Sequence, residues 1–298
     1  MDRIMKKMIF SVVGLMGMIT TANAQYDDNF VEMSVTSFQG DKIGVIDINR
    51  DQNRVKVKYF AGKDFNGTSV YERYRQWSRG KNIVAYSSGT YMDGCEASLA
   101  KPVGICIDNG RLVNNVLEPN RFDGLAIVYS SGGIAVSNLK EKNLQVTNCS
   151  GGGAQTLNIR DAFDKSKFVQ WAADCNATVF QTHLFYFKNN FLVNSYSTNT
   201  TQAKRRFLAV GKDENGILHH YIVNINTPHD ITTGTQKAVN FLKNAKSVQD
   251  LIFLINLDTG CQDVFEARKA NGNIDTREYF KGTTDISNAS NLLVYYYE

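Results

Sequence analysis

Apolar and polar positions along this chain alternate mostly with a period of two, the mark of half-buried strands. Val31, Met33 and Val35 alternate with Glu32, Ser34 and Thr36, and Val55, Val57 and Tyr59 alternate with Lys56 and Lys58. Ile83 to Tyr86 is a continuous apolar run and predicts a buried strand. Helical spacing enters at Val70, Tyr71, Tyr74 and Trp77, behind Thr68 and Ser69, either of which can cap a helix. Hairpins follow. Gly104 to Ile107 turns at Asn109-Gly110 into Arg111 to Leu117, and Leu125 to Tyr129 turns at Gly132-Gly133 into Ile134 to Val136. A glycine-rich patch, Gly151 to Gly153, precedes a helical stretch holding Phe163, Phe168 and Trp171. Val179 to Phe187 and Phe191 to Tyr196 predict a hairpin across Asn189-Asn190, and Phe207 to Val210 with Ile217 to Ile225 predict another.

The last third changes character. Ala238, Phe241, Leu242 and Ala245 define one face of a helix opened by Thr233 or Thr235. Leu251 to Leu257 is almost wholly apolar and predicts a central strand covered on both faces. Asp258-Thr259-Gly260-Cys261-Gln262 breaks it, Val264 to Ala267 resumes as strand, and Leu292 to Tyr297 is one more strand. No linker, low-complexity tract or clear repeat interrupts the pattern. The fold class expected for residues 25–298 is therefore α+β: a single strand-rich, mixed-sheet domain with a few helices packed on the sheet.

The N-terminal pattern reads differently. Arg3, Lys6 and Lys7 precede an apolar run from Met8 to Ile19, followed by the small residues of Ala22-Asn23-Ala24. This order predicts a signal peptide over residues 1–24, cleaved near Ala24, and an exported protein, periplasmic or extracellular. The run is short of the roughly 20 apolar residues that span a bilayer, so stable membrane insertion is not expected. The 33 basic and 29 acidic residues nearly balance once the leader is removed. That balance leaves no electrostatic footprint for nucleic acid or an anionic membrane.

Five cysteines follow the leader: Cys95, Cys106, Cys149, Cys175 and Cys261. An oxidising compartment allows pairs among the first four, the odd count leaves at least one thiol, and Cys261 is the expected free one. Sequons at Asn66, Asn148, Asn176, Asn199 and Asn288 matter only in a host that glycosylates them.

No P-loop, Rossmann glycine pattern, HExxH, paired CxxC or G-x-S-x-G elbow is present. His219 and His220 are neighbours on a predicted strand, so they point to opposite faces and do not share one metal site. With His229 they read as ordinary strand histidines, and neither a metal nor a cofactor is expected. The sharpest local feature is INLDTGCQDV, residues 255–264, where an apolar strand ends in polar residues and a glycine-containing turn. Such ends form crevices that bind ligands. Asp258 there either caps the turn through an Asx bond or performs acid–base work. Burial would raise its pKa and backbone N–H bonds would lower it.

INLDTGCQDV, preceded by GTQKAVNFLKN, resembles the signature of the phosphodiester glycosidase domain family, which carries a helix and then a strand ending in N-L-D-G-G-G-S-S. SGTYM (88–92) looks like that family's N-G-x-[FY]-F turn, PVGICIDNGRLVN (102–114) like its P-x-G hairpin, and RRFLAVGKDENGILHHYIV (205–223) like its R-T-x-x-x-G block. The resemblance covers about residues 30 to 298, nearly all of the chain after the leader. The resemblance implies an exported glycosidase-type hydrolase that cleaves a sugar-1-phosphodiester or related glycan linkage, with a carbohydrate or sugar phosphate as its partner.

Carried onto this sequence, the resemblance implies Asp258 as the acid–base or positioning group, with Asn256 orienting it or a sugar hydroxyl. Arg205 or Arg206, with Arg205 favoured, binds phosphate, which a guanidinium matches bidentately. Thr90, Gly260 and Gln262 complete the implied substrate-binding set. The chain departs from the pattern at Ser88, at Met92, and at Thr259 and Cys261, which stand where glycines let a backbone approach a ligand. Those departures motivate an alternative: a non-catalytic glycan-binding or cell-envelope protein on the same fold. Cys261 as a nucleophile lacks a visible base.

Overall fold

The computed structural model describes residues 29–62, 66–95, 101–120, 122–192 and 200–297; the expected leader lies outside them. Among the described residues, the strands form three larger sheets and one ribbon, and all their pairings are antiparallel. The seven-stranded sheet runs in the order Val31–Phe38, Asp41–Asn49, Leu218–His229, Ala203–Lys212, Asp250–Leu257, Leu184–Phe187, Asn190–Phe191. A four-stranded sheet holds Phe265–Ala267, Asn82–Ser87, Asn291–Tyr297 and Val55–Ala61. A five-stranded sheet holds Arg111–Asn114, Cys106–Asp108, Thr178–Thr182, Gly124–Val128 and Ile134–Asn138. The class is α+β, and the expected single mixed sheet is corrected to several antiparallel ones.

The alternation of each strand explains this arrangement. One face of each larger sheet contributes to a shared central core: Ile46, Leu208 and Ile255 from the first, Val57, Tyr59 and Tyr295 from the second, Ala126 and Phe180 from the third. The other faces are each covered by one helix. Ile231–Ala245 lies on the seven-stranded sheet through Ala238, Phe241 and Leu242. Val70–Trp77 covers the four-stranded sheet through Val70 and Tyr74, and Ala162–Asp174 covers the five-stranded one through Phe168 and Trp171. A chain with three two-sided sheets needs near-continuous apolar strands, and Leu251 to Leu257 is such a strand. Phe253, Ile255 and Leu257 face the central core while Leu251 and Leu254 face the helix. A register shift between Val210 and Gly211 turns Leu251 to the helix side, out of step with Phe253.

Several local expectations are refined. Ser69 is the cap of the first helix and forms a capping box with Glu72. The third helix starts at Ile231 under Asp230, whose carboxylate accepts the Thr233 N–H at 2.8 Å, so Thr233 lies inside the first turn. Val179 to Phe187 is not one strand. It divides at His183, with Thr178–Thr182 in the five-stranded sheet and Leu184–Phe187 in the seven-stranded one. Beyond the short strand Asn190–Phe191, residues 193–196 of that predicted hairpin lie outside the described residues, as does Asn199.

The cysteine expectation is corrected. Cys95 is bonded to Cys261 and Cys149 to Cys175, leaving Cys106, buried in the central core, as the free thiol. His219 and His220 do face opposite ways: His219 meets Asp47 at 2.7 Å, whereas His220 is buried against the Tyr295 hydroxyl at 3.1 Å. Among the described residues no helix is long and apolar enough to cross a membrane.

Candidate functional site

The polar residues nominated from the sequence gather where the strand Asp250–Leu257 ends and the strand Ala203–Lys212 begins. The ladder puts Arg206 opposite Leu257 and Phe207 opposite Asn256. Paired residues share a face, and neighbours along a strand do not. Arg206 therefore lies on the central-core side, while Arg205 and Asn256 lie on the helix side.

Arg206 is 2% exposed and donates to Asp263 Oδ1 at 2.8 Å, with its guanidinium 4.1 Å above the Phe265 ring. Its Nε and Nη1 are buried and have no hydrogen-bond partner. Burial lowers its pKa, and the carboxylates of Asp263 and Asp258 act in the opposite direction. Arg205 is committed elsewhere: its Nε donates to the His229 carbonyl at 2.9 Å and its Nη2 to the Thr201 carbonyl at 2.6 Å. Its side chain also packs on Gly234, where an added Cβ would lie 2.8 Å from Arg205 Cγ. Burial lowers its pKa, and the charges of Tyr91 and Asp230 act in the opposite direction.

Asp258 is 6% exposed and accepts the Gly260 N–H at 2.8 Å, so the Asx bond that the turn allows is formed. Its pKa is nevertheless raised above the ordinary 3.8, because desolvation outweighs that bond and the attraction of Arg206, and Asp263 adds repulsion. The result is a carboxyl that holds a proton more readily than an exposed one, within reach of the field of a buried cation.

On the helix side, the Asn256 amide donates to the Tyr91 hydroxyl and, at 2.9 Å, to the Leu257 carbonyl, while its Oδ1 is buried without a hydrogen-bond partner. Tyr91 stacks on Phe122 at 5.2 Å, and His183 stands edge-on to both rings, at 5.2 Å from Tyr91 and 4.6 Å from Phe122. Tyr91, His183 and Asp263 were not singled out from the sequence. Tyr91 and Asp263 lie inside the SGTYM and INLDTGCQDV blocks, so their position was visible there. His183 became recognisable only as the point where one predicted strand divides between two sheets.

The remaining nominated residues hold the frame. Thr90 is fully buried; its hydroxyl donates to the Gln181 carbonyl at 2.6 Å and its N–H to Asn291 Oδ1 at 3.2 Å. Gln262, also buried, donates to the Cys95 carbonyl at 2.6 Å and accepts from the Ser290 hydroxyl at 3.1 Å. Ser88 donates to the Gln262 carbonyl. The Thr259 hydroxyl donates to the Lys204 carbonyl at 2.9 Å, and Cys261 is bonded to Cys95. In the disulfide Cys261 carries no thiolate, which removes it as a nucleophile in this form. Among the described residues no group of three or more His, Cys, Asp or Glu side chains is placed to hold a metal ion.

No protein-family model matches the chain, and no curated protein matches it. Among solved structures, it is similar to the catalytic domain of zebrafish N-acetylglucosamine-1-phosphodiester alpha-N-acetylglucosaminidase, auto-inhibited by its pro-peptide. The TM-score is 0.50 at 14% identity, over 90% of this chain and 82% of that one. A hypothetical protein from Synechocystis is matched with a TM-score of 0.48 at 11% identity, over 90% of this chain and 62% of that one. At such identities the first likeness shows a distant relationship of fold.

Proposed function

We propose that this chain is an exported hydrolase of the phosphodiester glycosidase type, acting on a sugar-1-phosphodiester or a related glycan linkage. The observation that carries the proposal is Arg206: a buried guanidinium with two unpartnered nitrogens, beside a carboxyl whose pKa burial has raised. Unpaired buried N–H groups are costly, and a phosphate oxygen that accepts from one of them relieves that cost. Arg206, whose charge acts on Asp258, is the phosphate-binding arginine of this reading; Arg205 braces the entry to the third helix.

The chemistry follows from the charges. A bound phosphodiester anion repels the Asp258 carboxylate and favours its protonated form further. Protonated Asp258 then donates to the oxygen leaving the sugar as its bond to the anomeric carbon breaks; water adds to that carbon and gives up a proton, so the products are the free sugar and a phosphomonoester whose negative charge Arg206 holds. Asn256 and Tyr91 position sugar hydroxyls from the helix side. The fold likeness to a phosphodiester glycosidase domain supports this reading. Two disulfides support an oxidising compartment, in keeping with a signal peptide over residues 1–24. Turnover of a panel of sugar-1-phosphodiesters tests it: wild type should release sugar, and Asp258→Ala should not. A wild-type rate no better than that of Asp258→Ala removes the hydrolase reading for those substrates.

A second reading, glycan binding without turnover, is favoured by the altered turn: Thr259 bonds the Lys204 carbonyl and Cys261 is tied to Cys95, where the resembled family carries glycines. Glycan binding that persists in Asp258→Asn, with no hydrolysis by wild type, would select it.

A further inference from the structure

We propose that the Cys95–Cys261 disulfide is a positioning brace for the turn that carries Asp258, and that it makes the site sensitive to dithiol reductants. Two segments far apart in sequence meet here: the bridged residues are separated by 166 positions. Both cysteines are exposed, whereas Asp258, three residues before Cys261, is buried. The bond is thus open to a reductant while the group it steadies is not.

The noncovalent ties around the turn depend on the same junction. Gln262 reaches the Cys95 carbonyl at 2.6 Å, Thr284 donates to the Cys261 carbonyl at 3.1 Å, and the Gly260 N–H bonds Asp258 at 2.8 Å. The segment from Ser88 to Cys95 also carries Tyr91, the partner of Asn256. One covalent link therefore joins the segments that hold both sides of the candidate site. The other disulfide, Cys149–Cys175, joins the end of the Ala162–Asp174 helix to a loop and shares none of these residues.

Reduction proceeds by thiol–disulfide exchange. One thiolate of a dithiol attacks one sulfur and forms a mixed disulfide, releasing the other cysteine as a thiolate that takes a proton. The second thiol of the reductant then displaces the protein sulfur. Two electrons and two protons pass to Cys95 and Cys261, and the reductant leaves as a cyclic disulfide. The freed turn no longer holds Asp258 against Gly260 in one geometry, and a shift of about 1 Å at a reacting group costs on the order of a hundredfold in rate.

The regulatory consequence rests on the hydrolase reading, but the brace itself is testable without it. Hydrogen exchange at the Gly260 amide is compared in wild type, the double variant Cys95→Ser, Cys261→Ser, and the control Cys149→Ser, Cys175→Ser. Exchange should quicken by about tenfold or more in the first variant and in dithiol-treated wild type, and stay unchanged in the control. Unchanged exchange in the first variant overturns the proposal. Equal quickening in both variants also overturns it, because the effect would then be general loosening. Turnover is read in parallel: loss in the first variant alone is the expected result. Absence of turnover in oxidised wild type contradicts the hydrolase reading and leaves the exchange comparison to decide the brace.

Discussion

Arg206 donates to Asp263 Oδ1 at 2.8 Å, and both side chains are almost wholly enclosed. Asp263 also accepts the N–H and hydroxyl of Thr283 through its other oxygen, at 3.1 and 3.2 Å. The pair thereby fastens the central strands of one sheet to the loop that leads into another. Removing one member leaves a buried charge uncompensated, which costs about 3–5 kcal/mol. Asp263→Ala should lose stability on that scale in urea unfolding, and the double replacement Arg206→Met, Asp263→Leu should recover most of it.

Asp258 answers to pH in the opposite sense from a salt-bridged carboxylate. Burial raises its folded pKa above 3.8, so its protonated form favours the fold. That contribution is complete below 3.8 and is lost as the pH climbs through the raised value. Asp258→Asn removes the penalty of ionising a buried group. Its urea midpoint should exceed that of wild type at about pH 7, with the difference fading in acid. A midpoint below that of wild type at neutral pH would contradict the assignment of desolvation as the dominant influence.

Gly89 lies where the segment leading to Tyr91 crosses the central core. A Cβ there would stand 2.6 Å from Tyr59 Cε2, and the Tyr59 ring is held in a stack 4.5 Å from Phe180. The aromatic ring has no room to retreat. Gly89→Ala should therefore cost about 1–3 kcal/mol, measured as a fall in thermal midpoint. A neutral substitution would show that the Tyr59–Phe180 stack yields.

Asp230 should behave as a cap with an acid-labile contribution. The Thr233 N–H and hydroxyl bond its carboxylate at 2.8 Å each and hold its pKa below 3.8. Asp230→Ala should lose about 1 kcal/mol near neutrality. The loss should persist above 3.8 and vanish as the pH falls through the lowered value, because the wild-type cap is then protonated as well.

The parts of the fold legible in the sequence were those set by local periodicity and turn chemistry. The strand from Leu251 to Leu257 could be read as covered on both faces because it offers almost no polar side chain to water. The Asn109-Gly110 turn was equally plain: both residues adopt positive φ, at 50° and 77°. The division of the strands among three sheets was not legible, since an apolar run carries no mark of which partner it pairs with. His183 illustrates this. Nothing in the run from Val179 to Phe187 shows that the chain changes sheets there.

Within the candidate site, the strand exit at Asn256 and Asp258 could be located from the same periodicity. The choice between Arg205 and Arg206 depended on register across the sheet, which adjacent positions on one strand do not reveal. The Cys95–Cys261 bond joins residues 166 positions apart, and no spacing rule reaches that far. Cys106 is the free thiol, buried by its strand in the central core.

The proposed hydrolase takes its sugar phosphodiester at one end of the strand Asp250–Leu257, with Arg206 on the phosphate and Asp258 at the bridging oxygen. The most direct measurement is a crystal structure of Asp258→Asn soaked with an intact sugar-1-phosphodiester. A phosphate oxygen should lie within hydrogen-bond distance of Arg206 Nε or Nη1, with residue 258 facing the glycosidic oxygen and sugar hydroxyls toward Asn256 and Tyr91. A ligand bound away from Arg206, or none bound at all, would contradict it.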